Sequence, residues 1–571
     1  MSPKSVTTTS HAQATPSRRE LLAAEHGPPA RAHGPAAAGR LLRVGLVYPN
    51  AYAIGMASLG FQIAYQVLEG IAGVAPERFF LDTAAQGSIE TGTPLGDFDV
   101  IAFSAAYEMD GPHVLDLLEL AGLPLEARHR RPEAGWPLVL HGGVLVSVNR
   151  LPLYPFIDVF AHGEAEGILP PVMERLRRPG VDAGSRLAAL AGLPGIELTA
   201  GARAAAGLPL TAGEEPLVDL LDRPLAELAS LALPAPAAPP RAVAALLADA
   251  PFTSRILTPH NEFSNMALVD LARGCPHHCT FCWIGHNAPA YRTRSLTEIL
   301  AGIERLQPHT DRFGLVASAV GAHPDIDPLC EELMARGLRV SYSSLRVEEV
   351  SDTMLRALAA GGQRTVTIAP EAGSRRVRRL LGKRITDEQI FAVTEKIFGL
   401  GAENLKLYFM TGIPSETDEE ALAIAAFTEK IRAIQLRWAR PRGRMGTIQI
   451  NLGVFVPKPG IPLNHIEPVP LARIKSRLRK VVQALARIPN THTAVSSPDL
   501  ARAQGVLSMG GVEAARYALL VREQGYDWRA ANRVWRAVQP ADFAWKGTGA
   551  PRVATAALHA HSSLPSVRVE G

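Results

Sequence analysis

Apolar runs of strand length recur along the chain with amphipathic helical stretches between them, and they do so in two separate series. The first holds LRVGLVYPN (42–50), RFFLD (78–82), FDVIAFSAA (98–106), PLVLHGG (137–143) and DVFAHGE (158–164). Helical patterns such as 58–71, 111–122 and 168–178 fall between them. Continuous apolar strands alternating with helices predict βαβ units and a parallel sheet covered on both faces. Residues 41–180 are therefore read as a doubly wound, Rossmann-like α/β domain. The second series runs through MALVDLA (266–272), RFGLVAS (312–318), RVSYSSL (339–345), TVTIAP (365–370), NLKLYFM (404–410) and TIQINLGVFV (447–456). Six such strands suit an open, partial α/β barrel over 256–470, two short of the usual closed one.

The remaining segments are assigned by composition. Residues 1–40 lack periodicity and are read as a disordered tail. Residues 181–255 are rich in Ala, Leu and Pro and are read as a linker. Residues 471–545 are read as a small helical domain and 546–571 as a second tail. The 571 residues are 47% hydrophobic, which excludes global disorder, and the net charge of +4 demands no polyanionic partner. Nucleic acid is not an expected partner, since no RNA-binding motif is present. No apolar run reaches the length of a membrane span, and Arg18-Arg19 lacks the apolar stretch of a signal peptide. A cytoplasmic protein is expected.

Three of the four cysteines fall in ARGCPHHCTFCWIGH (272–286), directly after a predicted strand. Cys275, Cys279 and Cys282 form C-x-x-x-C-x-x-C at the carboxyl end of that strand, the edge on which α/β barrels carry their sites. Three thiolates can hold three irons of a [4Fe–4S] cluster and leave the fourth open. With His286 they also make a Cys₃His set for structural zinc, which would describe a zinc-stabilised, non-catalytic binding module. Cys330 lies in an apparent helix and is read as inert core.

This motif, with Phe281 just before the last cysteine, resembles that of the radical S-adenosylmethionine (SAM) superfamily. The resemblance implies a [4Fe–4S] cluster whose open iron binds SAM, reductive cleavage to a 5′-deoxyadenosyl radical, and a flavodoxin- or ferredoxin-type reductant. It also suggests which strand ends meet SAM. After the second strand, Ser318 and Gly321 stand where the family commonly has Gly-Gly-Glu, without the acid. Ser344 and Arg346 follow the third strand, with Arg346 on the SAM carboxylate or in a surface ion pair. Glu371, Gly373 and Ser374 follow the fourth, for the ribose or amino group, or else as a helix-capping acid and its neighbours. KLYFMTGIPSET (406–417) resembles a block found in several subfamilies, with Gly412 and Pro414 shaping the loop below adenine.

The first domain resembles the cobalamin-binding domain that precedes many radical SAM barrels. Gly142, Gly143 and Gly163 would let backbone approach a bulky ligand at the strand ends. The D-x-H-x-x-G motif is absent, and His141 and His162 are read as structural. The resemblance implies cobalamin as a further cofactor, methyl transfer to an unactivated carbon of a small molecule, and strand-end turns facing the barrel mouth. A radical SAM enzyme modifying tRNA or protein is the alternative of the same class.

Overall fold

The computed structural model describes residues 16–28 and 41–538, apart from 179, 183–184, 225–226, 229–232, 234, 245–249 and 466–468. The tail expected at 546–571 and most of 1–40 lie outside these residues. The first series folds as expected. It gives β1 (Leu42–Tyr48), β2 (Val74–Phe80), β3 (Val100–Ser104), β4 (Leu138–Gly142), β5 (Val159–Ala161) and β6 (Ile196–Leu198) in the order β2-β1-β3-β4-β5-β6. All pairs are parallel except β5 with β6. Alternate residues feed two cores: Val44 and Leu46 pack on one face, Val47, Ile101 and Phe103 on the other. The strand order reverses between β1 and β3. In open α/β sheets the crevice outside the carboxyl ends at such a point is where ligands bind. Across it, Asn50 Nδ2 donates to Asp110 Oδ1 at 2.8 Å.

Three composition-based expectations are corrected here. Within 1–40, Arg18–Ala24 is a helix with a capping box between Ser17 and Glu20, and Leu21 is buried. Within the supposed linker, β6 pairs antiparallel with β5, and Ala200–Ala205 forms a helix capped by Thr199. Ile196 and Leu198 bury against the first core, so the Rossmann-like domain extends past residue 180. Within the supposed helical domain, Thr491–Val495 is a strand added to the barrel sheet.

The second series gives β7 (Ala267–Asp270), β8 (Ala272–Arg273), β9 (Arg292–Thr293), β10 (Arg312–Val316), β11 (Arg339–Tyr342), β12 (Thr365–Glu371), β13 (Asn404–Thr411), β14 (Ile448–Val454) and β15 (Thr491–Val495). The parallel ladders β7-β10-β11 and β12-β13-β14-β15 meet at the Leu345–Ile368 bridge. Seven strands thus follow one another in chain order, one more than expected, and no ladder joins β15 to β7 among the described residues. Burial alternates along β13: Leu405, Leu407 and Phe409 enter the core beneath the outer helices. Lys406, Tyr408 and Met410 therefore face the opposite side, the open interior of the barrel. No helix among the described residues is long and apolar enough to cross a membrane.

The C-terminal helices tie the two halves together. Ala515 and Ala518 of Ala514–Glu523 join the second core of the Rossmann-like domain, and Arg522 Nε donates to Asp116 at 2.6 Å.

Candidate active site

The barrel's first strand leads straight into the cysteine loop. The short antiparallel pair β8–β9 closes the neck of that loop, leaving 274–291 to project from the carboxyl edge. Inside it, Cys282 N donates to the Cys279 carbonyl at 3.0 Å. The His278 imidazole hydrogen-bonds the Gly285 carbonyl through Nδ1 at 2.7 Å. The loop is also fastened to the C-terminal end of the helix Arg375–Leu380 that follows β12, where Thr280 N and Oγ1 donate to the carbonyls of Leu381 (3.1 Å) and Leu380 (2.7 Å). Cys279 is buried, Cys275 and Cys282 are half-buried, and all three are free thiols. Burial pushes the Cys275 thiol up, and the neighbouring Cys282 and Cys279 add to the shift.

The donor set distinguishes the two metal readings. Zinc needs its ligands converging within about 2.0–2.3 Å of one point. Among the described residues no three His, Cys, Asp or Glu side chains converge on a single ion. The His286 Nε2 faces the Cys279 carbonyl at 3.0 Å, not a sulfur. A [4Fe–4S] cluster places each thiolate on a different iron, so neighbouring but separated sulfurs on one loop fit it. The Cys₃His zinc site, and with it the zinc-stabilised module, does not fit.

Arg346, after β11, reaches this loop. Its Nη1 donates to Cys279 Sγ at 3.3 Å, and its guanidinium also pairs with Glu348 and lies 3.6 Å from Glu349 Oε1. It is therefore more than a surface ion pair. Arg346 Nε, Glu349 Oε2 and Tyr291 Oη are buried with no hydrogen-bond partner among the described residues. Burial, then the charges of Glu349 and Cys275, raise the Tyr291 hydroxyl, so these groups share one environment. Orphaned donors and acceptors beside the thiols suit a zwitterionic ligand such as the methionine end of SAM. His277, hydrogen-bonded to Glu349, completes this cluster. Glu349, Tyr291 and His277 escaped the sequence reading, although Glu349 sits three residues past Arg346.

The other strand-end residues occupy the same edge with different local roles. Ser318 and Ser344 are exposed. Gly321 packs against Glu349, where a Cβ would come within 2.6 Å of the Glu349 Cβ. Glu371 has a φ of +67° and accepts from Lys383 Nζ at 2.8 Å. It is not a helix cap; Ser374 is, accepting from Val377 N at 3.3 Å and donating to Glu420 at 3.0 Å. The Ser374 hydroxyl is thus engaged within the protein. Gly373 packs against Ile424 of the helix Asp418–Arg442. Beyond β13, buried Glu416 gathers Thr411 Oγ1 (2.8 Å), Gly412 N (3.0 Å) and Arg477 Nη1 (2.7 Å), which folds the Gly412–Pro414 turn. Burial holds the Glu416 carboxyl above its ordinary value despite these partners. Cys330 Sγ lies 2.9 Å from Tyr342 Oη in the core, away from the loop.

On the Rossmann-like domain, Gly142 ends β4 and Gly143 is exposed at a φ of +90°, where a Cβ would come within 2.5 Å of the Ala105 carbonyl. Only glycine lets this turn lie against the end of β3. Beside it Tyr107 (46%) and Val144 (50%) are exposed, presenting apolar surface at the carboxyl edge. Gly163 is corrected: at a φ of +137° it sits under the Ala242 carbonyl, 1.9 Å from where a Cβ would be, so its close neighbour is backbone. His162 Nε2 binds Glu197 at 2.6 Å, which also holds Arg150. His141 is buried against Phe103 and Phe160, and burial lowers it to about 4, so it is neutral core.

The two edges face each other. Arg273 and Arg292, at the neck of the cysteine loop, pair with Glu164 and Glu166 just after β5 (Arg273–Glu166 at 2.6 Å). Arg241 bridges the carbonyls of Ser147 and Asn287 and lies 4.9 Å above the Trp283 ring. Lys458, beyond β14, pairs with Glu108, beyond β3.

Two family models match the chain. The profile "Radical SAM proteins, N-terminal" matches residues 60–198, and "Radical SAM superfamily" matches residues 269–428. The chain belongs to the radical SAM superfamily. An uncharacterized protein of Methanocaldococcus jannaschii is 24% identical over 446 residues, covering 78% of this chain and 83% of that one. An uncharacterized methyltransferase of Pyrococcus horikoshii is 30% identical over 210 residues, 34% of this chain and 44% of that protein. Among solved structures, a radical SAM methyltransferase from Kitasatospora setae with cobalamin and a [4Fe–4S] cluster bound aligns over 88% of this chain and all of its own. The identity is 14% and the TM-score 0.48. The family reading makes the protein a radical SAM enzyme that uses a [4Fe–4S] cluster, SAM and an external reductant.

Proposed function

We propose that the protein is a cobalamin-dependent radical SAM methyltransferase acting on an unactivated carbon of a small molecule. The observation that carries this reading is the apposition of two ligand-bearing edges. The carboxyl edge of the Rossmann-like sheet lies against the barrel, with Glu164 and Glu166 after β5 on Arg273 and Arg292 at the neck of the cysteine loop and Glu108 after β3 on Lys458 beyond β14. A methyl donor held on one edge must come within roughly 3–3.5 Å of a substrate carbon activated at the other, and facing edges meet that demand.

Cys275, Cys279 and Cys282 would hold the cluster. When bound, the cluster and SAM supply a 5′-deoxyadenosyl radical, and cobalamin supplies the methyl carrier. Arg346 orients the Cys279 sulfur and offers its remaining N–H to the SAM carboxylate, while Glu349 accepts from the SAM amino group. Glu371, held at the β12 end by Lys383, would accept from the ribose hydroxyls. Gly142, Gly143, Tyr107 and Val144 would hold the corrin on an apolar surface with accessible backbone. His141 is core and His162 is committed to Glu197, so neither imidazole is offered to a ligand at this edge. The methyltransferase relative from Pyrococcus horikoshii supports the reaction class. Free thiols and the need for a flavodoxin- or ferredoxin-type reductant favour the reducing cytoplasm.

The test is an anaerobic turnover assay of the reconstituted protein with a low-potential reductant. The reading expects 5′-deoxyadenosine and methionine in equal amounts, dependent on all three cysteines. A reconstituted brown protein that cleaves no SAM contradicts it.

A further inference from the structure

Away from this site, the C-terminal helices enclose a groove of about 740 Å³. One wall is the helix Leu471–Leu485, whose Lys475, Leu478, Arg479 and Val482 recur at three- and four-residue spacing and share one face. The facing wall is Trp528–Val538, which turns Arg529, Arg533 and Arg536 to the groove and buries Ala530, Ala531 and Trp535 behind. Asp499 is the single carboxylate among the described lining residues, and it already takes Lys475 at 3.0 Å and Arg529 at 3.2 Å. Arg479 and Arg533 have no carboxylate within ion-pair distance among the described residues. Between the walls the surface is aliphatic, with Leu478, Val482 and Val495 contributing. Burial, and then the neighbouring Arg536, hold the Arg502 guanidinium below its ordinary value.

We propose that this groove binds an amphiphilic phosphate ester, its phosphate or diphosphate on Arg479 and Arg533 and its hydrocarbon part along Leu478, Val482 and Val495. Guanidinium groups bind phosphate through paired N–H donors, which a lysine cannot reproduce. The volume falls in the range of about 300–1,000 Å³ that small ligands occupy. No aromatic side chain among the described residues lines the groove, so these offer nucleic-acid bases no surface on which to stack. An aliphatic floor between cationic walls instead matches a ligand with an anionic head and an apolar tail. Such a head is carried by free isoprenoid or acyl phosphates and by membrane phospholipids alike.

Calorimetric titration of the full chain distinguishes these sources, with farnesyl diphosphate, inorganic pyrophosphate and phosphatidylglycerol-containing vesicles as probes. Farnesyl diphosphate should bind saturably, and Arg479→Glu and Arg533→Glu should each weaken it about tenfold or more, given the worth of a charge-assisted hydrogen bond. Both sites are exposed, and circular dichroism checks that the variants fold. Pyrophosphate should bind at least about tenfold more weakly, because it lacks the buried methylenes. Binding to vesicles in place of the monomeric ester, with the same sensitivity to both variants, assigns the ligand to a bilayer. The proposal is overturned by absence of saturable binding to either form, by affinity unchanged in both variants, or by pyrophosphate binding as tightly as the farnesyl ester. A uridine oligonucleotide bound more tightly than the ester through the same arginines would overturn it as well.

Discussion

Lys458 and Glu108, 350 residues apart in the chain, form a buried ion pair that joins the loop after β14 to the end of β3. Gln504 Nε2 (3.0 Å) and Ser508 Oγ (3.1 Å), from the helix Pro498–Met509, donate to the same carboxylate. One acid thus gathers the Rossmann-like domain, the barrel and the C-terminal helices. Burial alone would raise the Glu108 carboxyl, but the Lys458 charge and these hydrogen bonds outweigh it and hold it below its ordinary value.

Removing one partner of such a pair strands the other charge. Lys458→Met should destabilise the protein by about 3–5 kcal/mol, and Lys458→Met with Glu108→Gln should recover part of that loss. Urea unfolding midpoints of the three proteins check this. Equal loss in the single and double variants would show that no stranded Glu108 charge adds to the cost of removing Lys458.

The three loop cysteines are expected to act as a set. Alanine at Cys275, Cys279 or Cys282 should abolish a stable [4Fe–4S] cluster, while Cys330→Ala and His286→Ala should retain the iron. Iron and sulfide analysis after anaerobic reconstitution decides. Iron lost on changing His286 would restore the zinc-type ligand set.

Arg346→Met should weaken SAM binding about tenfold or more while leaving iron content unchanged, since it removes a charge-assisted contact without removing a thiolate. Equilibrium dialysis of the reconstituted protein measures both arms. Unchanged SAM affinity would confine Arg346 to its ion pairs with Glu348 and Glu349.

Asp110 lies at the switch point, where burial pushes its carboxyl up to about 6. Its ionisation is therefore harder in the folded state than in the unfolded chain. Stability falls as pH rises from the unfolded value near 3.8 through about 6, and stays reduced above it. Asp110→Asn keeps an acceptor for Asn50 and removes the charge. It should stabilise the protein by about 1–3 kcal/mol at pH 7 and have little effect near pH 4. Unfolding midpoints at the two pH values measure this, and a larger gain at pH 4 would reverse the sign.

The strands were legible because parallel strands buried on both faces read as unbroken apolar runs: LRVGLVY and RFGLV could hardly be anything else. What was misread had weak or contrary local signals. β6 is three residues long inside an Ala- and Pro-rich stretch, and its strand character comes from pairing with β5. β15 reads THTAV and lies half-exposed at the sheet edge, so it carries no apolar pattern. The helix at Arg18 did carry a sign, the S-x-x-E capping box of Ser17 and Glu20, which the low-complexity surroundings obscured. In the site, the cysteines announced themselves by spacing. Lys458–Glu108 and Arg273–Glu166 did not, because ion pairs between residues 350 and 107 positions apart leave no local trace. Gly163 was misassigned because a glycine needed for backbone approach looks the same whether the approaching group is a ligand or Ala242.

The most direct test of the facing-edge account is corrinoid stoichiometry. The anaerobically reconstituted protein is mixed with hydroxocobalamin, passed through gel filtration, and its corrinoid absorbance measured against protein and iron. The account predicts about one corrinoid per chain co-eluting with a four-iron cluster, as the family's cysteine-ligated clusters supply. Protein that elutes with its iron but without corrinoid would contradict the methyltransferase reading.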